Sequence, residues 1–246
     1  MKRLIITADD FGAAPEVNEA VERAHRDGAL TAASLMVSAP AAADAVRRAK
    51  EMPSLRVGLH IVLVDGRPAL PAAQIPDLVD KDGFFRTGMA MAGASMFFRP
   101  KVRRQLAEEI EAQFKAFAAT GLALDHVNTH KHFQLHPTIA STMIRIGKRY
   151  GMTAARTLAF RASFRRRGLL VPDRVFGLKW SGQMTAERVQ AIVDALPDGL
   201  NEIYMHPATG PYPGSAEGYR YADELAALQA VVIPPEIRCG GFADFA

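Results

Sequence analysis

The chain alternates short apolar runs with amphipathic stretches along its whole length. Leu4–Ala8 is an apolar run that stops at two acids and reads as a first strand. Val17–Arg26 has helical spacing and ends near Gly28. Ser34–Val37 and Val57–Leu63 read as the next two strands, with a helix over Asp44–Lys50 between them. A longer helix places Val102, Leu106, Ile110, Phe114 and Phe117 at three- and four-residue steps, with Glu108, Glu109 and Glu111 between them, and stops near Gly121. Leu122–His132 alternates in strand fashion, and Pro137 is placed to open a helix that runs to Tyr150, with Gly151 as its stop. Then follow a strand over Ala154–Phe160, a helix over Thr185–Leu196 capped by its threonine, and a strand over Glu202–Met205. A helix around Glu224–Leu228 and a short last strand, at Val231–Ile233 or Ile237–Phe242, complete the series.

Repeated strand–helix units predict a parallel sheet. About seven of them suit a distorted (β/α) barrel of the TIM type, complete or incomplete, ahead of an open doubly wound sheet. The whole chain, 1–246, reads as one such domain. It is interrupted at about 65–100 by an irregular excursion holding Pro68, Pro71, Pro76 and Pro100 and Gly66, Gly83, Gly88 and Gly93. Excursions of that length in compact domains often serve function.

Composition narrows the picture only a little. The one cysteine, Cys239, can form no internal disulfide, which fits a reducing, cytoplasmic setting. No run approaches a membrane span, and Leu4–Ile6 is too short for a signal-peptide core. A net charge of +4 gives no case for nucleic-acid binding. The cluster Arg161, Arg165, Arg166 and Arg167 reads first as a solvated face, with peripheral contact to an anionic membrane surface as the alternative. No glycine-rich phosphate loop follows any strand, so nothing supports a nucleotide cofactor.

The chemistry gathers where strands end. Four of the seven histidines fall in the stretch His126–His136. On a strand, Leu122, Leu124, His126, Asn128, His130 and His132 share one face. That row passes from apolar to metal-binding types, as a barrel stave does when it leaves the core and enters the site. Three other runs make the same transition: into Asp9-Asp10, into His60 and into His206-Pro207. In a parallel sheet these ends lie on one side. One carboxylate and two imidazoles can hold a divalent ion with open positions, which a hydrolase uses to activate water. Taken singly, His60 reads as a satisfied core or surface histidine, Asp9-Asp10 as a helix cap, and His25 as a solvated side chain. A metal phosphoesterase, another amidohydrolase, a two-His-one-carboxylate oxygenase and a non-catalytic sugar-binding protein are competing classes.

Thr7-Ala-Asp9-Asp10-Phe11-Gly12, Gly58-Leu59-His60, His126-Val-Asn-Thr-His130-Lys-His132 and Met205-His206-Pro207 occur in that order. Ala33–Val37, Val79–Phe85 and the Glu224-Leu225 helix lie between and after them. Together they resemble the YdjC-like carbohydrate deacetylases, most closely the branch associated with hopanoid biosynthesis. The resemblance implies a distorted (β/α) barrel and an Mg²⁺- or Zn²⁺-dependent enzyme that removes N-acetyl groups from amino sugars. It implies Asp10, His60 and His130 as metal ligands, Asp9 as general base and His206 as general acid. His132, Arg156, His126 and Asn128 become candidates for substrate contact or support of the ligands. Asn128-Thr129 departs from the acidic residue expected before the paired histidines. The implied substrate is an N-acetylglucosamine unit, free or lipid-linked. Met89–Phe98 reads first as core or homodimer interface, and in the lipid-linked case as a lid or lipid contact at the inner face of the membrane.

Overall fold

A computed structural model of the chain describes residues 1–86 and 99–246, so the Met89–Phe98 expectation lies outside the described residues. Seven strands are present among them: β1 Lys2–Phe11, β2 Ala32–Leu35, β3 Arg56–Ile61, β4 Val127–Thr129, β5 Arg174–Phe176, β6 Gly199–Met205 and β7 Arg238–Cys239. The helices are α1 Pro15–Arg26, α2 Ala42–Lys50, α3 Pro100–Ala119, α4 Pro137–Gly147, α5 Arg161–Arg166, α6 Ala186–Asp194 and α7 Tyr221–Ala230. All strand pairings are parallel, in the order β4-β3-β2-β1-β6-β5, with β7 beside the start of β1. Single-residue bridges, Val127 to Ala155 and Ala154 to Leu170, carry the sheet from β4 toward the segment that ends in β5. The result is a curled, distorted barrel with one well-paired half and a thin seam.

Strand alternation sorts the two faces. Leu4, Ile6 and Ala8 join Val57, Leu59, Ile61 and the buried faces of the helices in the large core. The opposite face holds only a small apolar floor of Ile5, Ala32, Ala154, Leu200 and Phe242. Beyond that floor the buried residues of the inner face are polar: Thr7 and Asp9, Ser34, His60, Asn128, Arg156 and Glu202. The helices follow their sequence signals. α1 opens on Pro15 and buries Val17, Ala20, Val21 and Ala24, and Thr185 caps α6 by accepting from the Arg188 amide.

Several elements differ from expectation. Only Val127–Thr129 of the Leu122–His132 stretch is a strand, and Leu122 and Leu124 pack against the outer core rather than the barrel interior. Ala154–Phe160 contributes single bridges, because it lies at the seam. The last strand is Arg238–Cys239, within the second of the two expected segments. His25 is not simply solvated: Nδ1 lies 2.8 Å from the Leu30 carbonyl and Nε2 2.8 Å from the Ser54 hydroxyl.

The described part of the excursion, residues 65–86, is tied down by α3. Gln105, Glu109 and Gln113 recur every four residues and are buried beside the apolar stripe. The Glu109 carboxylate accepts the Ala69 and Leu70 amides at 2.8 and 3.0 Å. Gln113 holds the Val62 amide and carbonyl, and Gln105 holds the Asp77 amide. A buried carboxylate needs such partners, and here they fix the wall of the cleft described next.

Candidate active site

Simple alternation would send Asp9 and Asp10 to opposite faces of β1. A bulge prevents this. The β1–β2 register runs Ala8 to Ala33 and then Phe11 to Leu35, one extra residue on β1. Asp10 takes the left-handed conformation at φ 62°. Both carboxylates therefore line one cleft, with a volume of about 760 Å³.

Asp10, His60 and His130 offer ligand atoms that all lie within 4.8 Å of one another. His60 Nε2 is 3.2 Å and His130 Nδ1 3.1 Å from the same oxygen of Asp10. On its far side His60 Nδ1 lies 2.7 Å from the Asn128 carbonyl oxygen. That bond puts a proton on Nδ1 and turns Nε2 toward Asp10, the orientation a metal ligand needs. Two imidazole nitrogens converging with one carboxylate form a donor set that fits a divalent ion such as Zn²⁺.

Asp9 sits beside this trio. Arg156 Nη1 donates to it at 2.5 Å and Asn128 Nδ2 at 3.2 Å. Burial alone would push the Asp9 carboxyl up, but the Arg156 guanidinium, then His60 and His206, hold it well below the ordinary carboxylate range. Arg156 is fully buried and also gives Nε and Nη2 to Glu202 Oε1 at 2.9 and 2.7 Å. The Tyr204 ring covers the guanidinium at 4.5 Å.

His132 does not continue the row of His130. Lys131 and His132 are both left-handed, and the chain turns into a 3-10 helix over His130–Leu135. His132 Nε2 then meets the Tyr204 hydroxyl at 2.9 Å. Burial first, and the Arg156 charge second, lower its pKa to about 4, so the ring is neutral at pH 7. His206 reaches the cleft from the end of β6, its ring 5.8 Å from Tyr204 and 5.6 Å from Tyr219. Its backbone amide donates to the buried Glu224 carboxylate at 2.5 Å, which fixes the loop that carries it.

Asp9, Asp10, His60, His130, His132 and His206 thus share one cleft, whereas His126, Asn128 and Arg156 lie behind its wall. The Arg161–Arg167 cluster is partly engaged elsewhere: Arg165 pairs with Asp173 at 2.6 Å and Arg161 donates to the Asp173 carbonyl. Glu202 and Tyr204 support the site without having been singled out in the sequence, and Ser34 and Glu224, which stood in the motifs of the resemblance, had no role assigned there. For Glu202 and Tyr204 the signal was present, since both share the alternation of β6 with His206.

A model of the YdjC-like protein family matches residues 3–233. The chain belongs to the YdjC-like family. Relatives of this YdjC-like chain include a carbohydrate deacetylase of Geobacillus stearothermophilus, 33% identical over 229 residues, covering 91% of this chain and 88% of the relative. A carbohydrate deacetylase of Brevibacillus brevis is 33% identical over 234 residues, covering 93% and 91%. Among solved structures, an Enterococcus faecalis V583 protein, described as a candidate cellobiose-phosphate cleavage protein, superposes with a TM-score of 0.80 at 22% identity over 100% of this chain and 99% of that one. A lactam utilization protein of Thermus thermophilus gives 0.60 at 16% identity, over 98% and 100%. At those identities the structures speak for the fold alone.

Proposed function

We propose that this YdjC-like protein is a metal-dependent carbohydrate N-deacetylase. The observation that carries the reading is the Asp10–His60–His130 trio lying next to the Arg156-held carboxylate of Asp9 in one cleft. The relatives named as carbohydrate deacetylases support the same chemistry. Asp10, His60 and His130 would hold the ion. Bound there, a divalent ion, Mg²⁺ or Zn²⁺, supplies Lewis acidity, which makes water a nucleophile near neutral pH and offsets charge growing on a carbonyl oxygen.

The chain's own groups do the rest. The Arg156 guanidinium keeps Asp9 ionised at neutral pH, and in that form it can accept a proton from the attacking water. Its ion pair with Arg156 orients the carboxylate. His206 gives a proton to the departing amine nitrogen as the carbon–nitrogen bond breaks. One water and one amide thus become acetate and a free amine. His132, hydrogen-bonded to the buried Tyr204 behind it, lines the cleft beside these groups and would contact the sugar.

The finer substrate reading is an N-acetylglucosamine unit on a lipid, as in hopanoid glycolipids. It draws on the apolar rim of the cleft, where Leu178 is 53% and Phe84 37% exposed. Among the described residues no helix is long and apolar enough to cross a membrane. The test is acetate release from soluble and lipid-linked N-acetylglucosamine compounds, before and after chelation and with Mg²⁺, Zn²⁺ or Co²⁺ added back. Acetate that disappears on chelation and returns with metal is expected. Metal-independent release would overturn the mechanism, and a marked preference for the soluble compounds would remove the lipid.

A further inference from the structure

Behind the metal trio runs an unbroken line of buried hydrogen bonds that ends at the floor of the barrel. Asp125 Oδ2 is 2.8 Å from His126 Nδ1. His126 Nε2 is 3.0 Å from the Ser34 hydroxyl. Ser34 Oγ is 2.9 Å from Asn128 Nδ2, and Asn128 Oδ1 is 2.7 Å from His60 Nδ1. Every residue in the line is buried, from Asp125 at 3% exposure to Ser34 and Asn128 at 0%.

The polarity of the line is fixed at both ends. A carboxylate only accepts, so Asp125 requires the proton of His126 on Nδ1. In the neutral ring His126 Nε2 is then an acceptor and takes the Ser34 hydroxyl proton. Ser34 Oγ, having given its proton away, accepts from Asn128 Nδ2. The second proton of that amide nitrogen goes to Asp9, the other carboxylate. The Asn128 carbonyl oxygen is left facing His60, which must carry its proton on Nδ1. Reversing the amide would set its oxygen against Asp9 and Ser34 and its nitrogen against His60 Nδ1–H.

Asparagine is the reason such a line is needed. A carboxylate at position 128 would accept from His60 in either orientation. An amide has one end that accepts and one that donates, so it supports the ligand only if held the right way round. The floor holds the far end in place. The Phe242 ring stacks on His126 with centroids 4.5 Å apart, and the amides of Phe242 and Ala243 donate to Asp125 at 3.2 and 2.8 Å. Gly58 leaves the other side of the ring open, since a Cβ there would lie 2.5 Å from it.

We infer that Asp125, His126 and Ser34 are positioning residues that orient the Asn128 amide and through it select the Nδ1–H tautomer of His60. The inference rests on the reading of Asp10, His60 and His130 as metal ligands.

The experiment is a double-mutant cycle on metal affinity. Zn²⁺ dissociation constants are measured by chelator competition for the wild type, Ser34→Ala, Asn128→Asp and the double variant, with thermal unfolding as a folding control. Loss of a group that orients a ligand weakens metal binding by about 10–100-fold. Ser34→Ala should therefore weaken Zn²⁺ about tenfold in the wild-type background and less than about threefold in the Asn128→Asp background, a coupling that a packing role would not produce. Long-range ¹H–¹⁵N spectra of histidine-labelled protein supply a second readout, in which His126 should be neutral and protonated at Nδ1. Equal losses in both backgrounds, or a proton on His126 Nε2, would overturn the inference while leaving the metal site standing. A wild type that binds no Zn²⁺ overturns the metal reading and the inference together.

Discussion

Arg156 offers the sharpest quantitative test of the site. It is 0% exposed, and the two carboxylates it serves, Asp9 and Glu202, are 2% and 0% exposed. Replacing it with methionine keeps the apolar stem and removes the only cation in hydrogen-bond contact with either carboxylate among the described residues. Two charges about 4 Å apart at an effective dielectric of about 20 interact by about 4 kcal/mol. Breaking one side of a buried ion pair costs about 3–5 kcal/mol, mostly because the partner is left charged and unpaired. In a domain of this size each kcal/mol moves the melting temperature by about 2–4 °C. Arg156→Met should therefore melt roughly 6–20 °C below the wild type. The control is the triple variant Asp9→Asn, Arg156→Met, Glu202→Gln, which strands no charge and should recover most of the loss. Calorimetry at pH 7 reads both. A single variant that melts within about 2 °C of the wild type, against about 6 °C at the least, would refute the picture of Arg156 as the neutraliser of this cluster. So would a triple variant no more stable than the single one.

Asp9→Asn should lower turnover by about 10²–10⁴-fold while Zn²⁺ affinity, measured by chelator competition, stays within a few-fold. Gly58→Ala would put its Cβ 2.5 Å from the His126 ring, which Phe242 blocks from behind, so it should cost about 1–3 kcal/mol in urea unfolding. Asp44 governs part of the acid stability. Burial opposes its ionisation, but hydrogen bonds from Asn18, Arg47 and Arg48 outweigh this and lower its pKa to about 2, below the ordinary 3.8. A depressed carboxylate contributes stability above its unfolded pKa and loses it as pH falls through the folded one. The stability gap between wild type and Asp44→Asn, read by urea unfolding, should thus be full above about pH 4 and close toward about pH 2. A gap that is constant with pH would exclude the ion pairs as its source.

How much of this was legible in the sequence depended on what each residue does locally. The strand–helix alternation and the parallel sheet were legible because both faces of β1, β3 and β6 are buried, and their apolar runs say so. The clustering of Asp10, His60 and His130 followed from one rule, that parallel strands end on the same side. What the pattern could not carry was non-periodic geometry. No repeat announces the bulge that turns Asp9 and Asp10 to one face, although Asp at a left-handed position is among the few side chains that tolerate it. The left-handed pair Lys131-His132 broke the expected row for the same reason. Polar residues on buried surfaces were the other blind spot. Glu109 stands in the sequence beside the like-charged Glu108 and Glu111, yet it is the one facing the Ala69–Leu70 amides. Only its register with Gln105 and Gln113 sets it apart.

The charge balance of the barrel interior leads to a last expectation. Asp9, Asp10 and Glu202 gather around one guanidinium, so among the described residues the buried carboxylates of this cluster outnumber its permanent cation. They are buried at the mouth of a barrel whose apolar floor is small among the described residues. Such an excess is costly unless a cation compensates it. A divalent ion held by Asp10, His60 and His130 would offset that excess, which would make the metal a structural partner of the fold as well as a reagent. Zn²⁺ at about 100 times its dissociation constant should then stabilise the protein by about 2.7 kcal/mol. That corresponds to a melting temperature raised by about 5–11 °C. The same addition to Asp10→Ala, His60→Ala should shift nothing. If the double variant gains as much as the wild type, the ion binds elsewhere, and the excess charge must be balanced by protons instead.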